Sequence, residues 1–124
     1  MNLVQVYECL CDTTRLRIVH LLTHGPLCVC HFQKILGEPQ VKISRHLAYL
    51  RRRGLVTVTR HANWMIYHFP AKRPRELEAN LECLRECART DRIFIADRRR
   101  LAGLMATCGW VADILKEAHR GIRP

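Results

Sequence analysis

At 124 residues and 14.5 kDa the chain has room for one domain with a real core, and not for two ordinary ones. Apolar residues make up 48% of it, yet no run approaches the roughly 18–20 consecutive apolar residues of a membrane-spanning helix, so a membrane span is excluded. The net charge of +10, from 21 Lys and Arg against 11 Asp and Glu, points to a polyanionic partner, and most of the acidic residues lie beyond residue 70, which leaves the front part the purer cation.

The opening MNLVQVYECLCDTTR lacks the basic end, apolar stretch and small-residue cleavage site of a secretory signal, so a reducing, cytoplasmic setting is expected. Seven cysteines are then expected to be mostly free thiols, and an odd number cannot all pair within one chain. In that opening stretch Leu3, Val6, Tyr7 and Leu10 recur at helical spacing. Asp12 is placed to cap a second helix running through TTRLRIVHLLTHG, which Gly25 and Pro26 end. PLCVCHFQ follows, then a short third helix marked by Phe32, Ile35 and Leu36 and stopped by GEP. QVKISRHLAYLRRRG gives a fourth that closes at Gly54.

Two short helices about a tight turn predict a helix-turn-helix, and LVTVTRH with NWMIYHF, rich in β-branched and aromatic residues around Ala62 and Asn63, predict a hairpin. Next comes a helix with the stripe Leu77, Leu81, Leu84 and Ala88, on whose edge Cys87 is expected to pack, with Cys83 one turn away. The tail carries a stripe of Leu101, Leu104, Met105, Cys108, Val111, Ala112 and Leu115 on a last helix, weakened at Gly103 and Gly109, long enough to form a dimer interface or to cover the core. The fold class expected is α+β, mainly helical: a winged helix-turn-helix over residues 1–90 for DNA binding and sensing, with a two-stranded β-hairpin wing, and a C-terminal helical extension over 91–124.

Helical geometry tests the fourth helix. At about 100° per residue, taking Ile43 as zero, Leu47 falls near 40° and Leu50 near −20°, a narrow stripe that must face a core. Val41, Lys42, Arg45, Ala48, Tyr49 and Arg52 take the opposite side. Cations opposite a core stripe are what insertion into a major groove requires. Arg45 can donate two bonds to a guanine edge, Lys42 and Arg52 suit phosphates, and Gln40 suits an adenine or the backbone. Ser44 and His46 flank this face, His46 as packing residue or reader, and Arg60 and His61 on the hairpin are expected to touch the DNA backbone.

The segments DTTRLRIVHLL, LCVCHFQKIL, VKISRHLAYLRRRGLV and ANWMIYHF together resemble the winged-helix arsenic- and metal-responsive repressors of the ArsR/SmtB family, over about residues 3–90. The resemblance implies a homodimeric repressor of operator DNA, with the hairpin as wing, released by a thiol-binding inducer at Cys28 and Cys30, which fall on the family's arsenic-responsive motif. As(III) or Sb(III) is the inducer implied. The family's third cysteine is Gln33 here, and the usual acidic residue after the second cysteine is His31.

Residues two apart on an ideal helix point about 200° apart, so Cys28 and Cys30 are expected to share an ion only if the helix start distorts, which would disturb the recognition helix it props. Trivalent arsenic generally takes three thiolates, so a further cysteine is expected to complete the site, Cys83 or Cys87 ahead of Cys9, Cys11 and Cys108. The alternatives are buried packing for the pair, the same fold responding to Cd(II), Pb(II) or thiol redox state, or a non-DNA metal-binding protein. CLCDTTR also fits C-x5-R, the phosphate loop of tyrosine phosphatases and related arsenate reductases, with Cys9 as nucleophile and Arg15 as oxyanion holder. That loop lacks glycine and follows a helical pattern, so no enzyme is expected.

Overall fold

Short-range signals begin the fold. In the computed structural model, which describes residues 1–107, Asn2 and Gln5 form a capping box that starts α1 (Leu3–Leu10). Asp12 accepts a bond from the Arg15 N–H at 3.0 Å and starts α2 (Thr13–Leu22). A two-residue strand β1 (Leu27–Cys28) runs into α3 (Val29–Leu36), which Gly37 closes with φ 68° in the left-handed region. Pro39 then opens α4 (Gln40–Arg52), so α3 and α4 make the helix-turn-helix. β2 (Thr57–His61) and β3 (Trp64–His68) form the hairpin, followed by α5 (Arg75–Ala88) and α6 (Arg92–Thr107).

Ile43, Leu47 and Leu50 of α4 are fully buried, as their stripe predicts. They meet Ile18 and Leu21 from α2, Phe32 and Ile35 from α3, Leu55, and Leu77 and Leu81 from α5 in one core cluster. Truncating any one of these leucines leaves a void, a loss of about 2–5 kcal/mol. This core fixes α4 with its opposite face outward, so core packing is also what presents the cations.

The hairpin pairs Thr57 with His68 through to His61 with Trp64, and its turn places Ala62 at φ 54°, the left-handed backbone a two-residue turn demands. A third strand joins it: β1 pairs antiparallel with β3, Leu27 opposite Tyr67 and Cys28 opposite Ile66, giving the order β1-β3-β2. Sequence periodicity gives no sign of a strand only two residues long.

α6 packs on α2 and α3, with Phe94 and Asp97 buried, so the segment beyond residue 90 begins as part of the core. Of its expected stripe, Leu101, Leu104 and Met105 pack against the core, while Cys108, Gly109, Val111, Ala112 and Leu115 lie outside the described residues. Among the described residues no helix is long and apolar enough to cross a membrane.

Candidate DNA-reading face and thiol site

α4 exposes Gln40, Val41, Lys42, Arg45, Arg51 and Arg52, with Ser44 half-buried at the edge. Lys42 pairs with Glu38 at 3.1 Å, one turn back, an exposed contact of little energetic weight. Arg45, 200° from Ile43, faces directly away from the core and is the side chain best placed to enter a groove. On the hairpin, Arg60 is exposed with its Nε donating to the Ala62 carbonyl at 3.2 Å, and His61 is half-buried beside it.

Tyr49, expected on the reading face, is turned elsewhere, and of the two roles open to His46 its surroundings favour packing. The Tyr49 ring packs against the core edge, with the guanidinium groups of Arg15 and Arg53 4.0 and 3.4 Å from its centroid. It braces α4 against α2 instead of pointing at bases. His46 lies 60° from Ile43, close enough to the stripe to be half-buried, and its Nε2 is 3.9 Å from Asp12, the cap of α2. Desolvation is the main cause that lowers its pKa, so it packs as a neutral ring. Arg51 was not singled out by helical geometry, yet it is exposed and lines a cleft with Ala48, Arg52 and Tyr67 between α4 and the wing. The run of three arginines ending the helix was its signal in the sequence.

Cys28 and Cys30 come together without any distortion of a helix. Cys28 is the residue before α3, in extended conformation at φ −91° and ψ 163°, so only Cys30 belongs to the helix and the 200° separation does not apply. Their sulfurs lie within 4.8 Å of each other, and burial, followed by the neighbouring Cys30, pushes the Cys28 thiol up to about 12. The buried Cys28 thiol therefore keeps its proton until a soft ion displaces it.

His31 completes the cluster, and the sequence reading missed it. Its Nδ1 accepts the Cys28 N–H at 2.8 Å, forming a capping box at the head of α3. Its Nε2 is buried with no hydrogen-bond partner, and burial followed by the charge of Lys34 drives the ring pKa down to about 4. One ligand atom from each of Cys28, Cys30 and His31 lies within 4.8 Å of the other two, the one such three-residue group among the described residues. The departure from an acidic residue at position 31 was the available signal.

The other cysteines are not gathered there. Cys83 and Cys87 are both exposed on α5. Cys87 lies about 80° from the Leu77 axis, too far round to pack as expected, and its pKa is raised chiefly by the hydrogen bond with Cys83. Cys11 is exposed and Cys9 fully buried. Burial raises the Cys9 thiol, the reverse of what an attacking thiolate needs, and Arg15 spends its Nε and Nη2 on the carbonyls of Cys9 and Glu8 at 3.0 and 3.1 Å. The C-x5-R segment is a helix junction and not a phosphate loop.

Residues 12–58 match the family model described as bacterial regulatory protein, arsR family. The chain is 40% identical over 88 residues, 67% of its length, to the arsenical resistance operon repressor of Escherichia coli K12, of which it covers 75%. In structure it is similar to HlyU from Vibrio cholerae N16961, with a TM-score of 0.61 and 30% identity over 68% of this chain and 88% of that one. A TM-score of 0.54 and 28% identity, over 70% of this chain and 80% of the other, relate it to the antimony-specific transcriptional repressor AntR.

Proposed function

Because this chain belongs to the arsR family of bacterial regulatory proteins, we propose that it represses transcription as a homodimer on operator DNA and is released when As(III) or Sb(III) binds Cys28 and Cys30. Arg45 reads a base edge, Gln40, Lys42, Arg51 and Arg52 hold the backbone, and Arg60 and His61 engage it from the wing. The observation that carries the inducer reading is the pair of neighbouring thiols at the head of α3, Cys28 buried and Cys30 half-buried, with their sulfurs within 4.8 Å, on the helix that packs on α4. A soft trivalent ion prefers thiolates to water, and an ion with different affinities for two settings of α3 shifts the population between them. The arsenical resistance repressor among its relatives supports the choice of ion. A pair of identical chains would set two recognition helices about one DNA turn apart.

The test is a mobility shift on operator DNA with and without arsenite under reducing conditions. Wild type should release; Cys28→Ser and Cys30→Ser should bind operator and stay bound, since a hydroxyl is a poor ligand for a soft ion. Release by both variants at the wild-type arsenite concentration would refute the reading.

A further inference from the structure

His31 occupies a position where one lone pair serves two purposes. As the third residue of α3 it closes the capping box with Cys28, and its Nδ1 must be unprotonated to accept the Cys28 N–H. With Nδ1 accepting that bond, the ring's proton sits on Nε2, the buried atom without a partner. The two thiols are the neighbouring ligand atoms in the same cluster.

We propose that His31 is a third protein ligand at the Cys28–Cys30 site, that the resulting S2N set takes a thiophilic divalent cation, and that ligation by either ring nitrogen removes the cap of α3. The inference rests on Cys28 and Cys30 being ion ligands and widens the site beyond metalloids held by thiolates alone. Two sulfurs and an imidazole form a mixed soft and borderline set, suited to Cd(II) or Zn(II), which accept both donor types.

The exclusivity follows from counting lone pairs and protons. If the ion takes Nδ1, it occupies the lone pair that the Cys28 N–H uses. If it takes Nε2, the proton there must move to Nδ1, which then opposes the Cys28 N–H with a second donor. In both cases the two thiols release their protons to solvent, the ring stays neutral, and the Cys28 amide loses its acceptor. An uncapped first turn of α3 is thus a necessary product of ligation. The extended backbone at Cys28 lets the thiols meet without distortion, and His31 restores the link between binding and helix structure.

The test uses the full chain, reduced and 15N-labelled, titrated with 113Cd(II). Bound wild type should show scalar coupling between cadmium and one His31 ring nitrogen, and the Cys28 amide should lose its protection from exchange. His31→Gln is the matched variant, since glutamine at the third helical position keeps the capping box and removes the imidazole. It should bind operator as wild type does, hold Cd(II) at least tenfold more weakly, and keep the Cys28 amide protected. Stoichiometric Cd(II) without coupling at His31, equal affinity in His31→Gln, or no binding of Cd(II) by wild type would each overturn the proposal. Arsenite release that still depends on Cys28 and Cys30 would leave the thiol reading standing in those cases. Arsenite release that ignores both cysteines would remove the two together.

Discussion

Arg17 on α2 grips the buried carboxylate of Asp97 on α6 with two parallel bonds, Nε to Oδ2 at 2.9 Å and Nη2 to Oδ1 at 2.8 Å, across eighty positions of sequence. Asp97 is fully buried and Arg17 largely so, and Arg100 approaches the same carboxylate at 3.6 Å. A bidentate pair shielded from water is short and directional, and removing one partner strands the other. Asp97→Asn should lower unfolding free energy by about 3 kcal/mol in urea denaturation. Glu86→Gln, which breaks the exposed pair with Arg89, should change it by less than about 0.5 kcal/mol.

Arg45→Ala should abolish sequence-specific operator binding while leaving the melting temperature unchanged, because the side chain is exposed opposite the core stripe. His46→Ala should do the reverse in part, weakening the fold through lost packing near Asp12 and leaving base preference intact. Binding curves on the operator and on singly substituted sites would separate the two. Specific binding by a folded Arg45→Ala protein would remove α4 from its role as reader.

Arg60→Ala at the wing should weaken binding nearly equally across sequences and reduce the slope of log affinity against log salt by about one. A changed base preference would make the wing a reader in its own right.

His20 gives the fold an acid limit. It is 1% exposed, stacked edge-on with His24 and Phe94, and its pKa falls to about 4, with burial the largest cause. The unfolded chain binds a proton near its ordinary value of 6.5 while the folded chain does not, so stability is complete above pH 6.5 and declines as pH falls toward 4. His20→Phe should flatten that decline in denaturant midpoints measured from pH 7 to 4.5. An unchanged slope would show that His20 is not its source.

Thiol reactivity should follow burial. Cys11, Cys83 and Cys87 are exposed and should react with a disulfide reagent in the native state, whereas Cys9 and Cys28 should react only after unfolding. Rapid modification of Cys28 in the metal-free protein would contradict its buried setting.

Much of this was legible from local signals. Asp12, the glycines at 37 and 54 and the Ile43–Leu47–Leu50 stripe each act through the nearest few residues, and each appears where spacing puts it. The exposed face of α4 was legible for Arg45, Lys42 and Arg52, because a side chain opposite a buried stripe has nowhere else to go. Tyr49 departed from it, and His46 took the packing role of its two, because partners on another helix, Arg15 and Asp12, decide their orientation. The pairing of β1 with β3 joins residues nearly forty apart through backbone bonds that carry no side-chain signature. His31 was missed for a related reason: histidine is not the usual residue to close a capping box, so its spacing from Cys28 carried no warning.

The register of that sheet has a practical consequence for anyone who would build a sensor from this fold. Cys28 stands opposite Ile66, so the segment that would carry the ion is also an edge strand of the wing. PLCVCHFQ transplanted alone into another winged helix would keep its donor atoms and lose the strand on which it is held. The transferable cassette is residues 27–31 together with 64–68, and a graft that honours both should inherit the response, while one that copies the motif alone should inherit only the thiols.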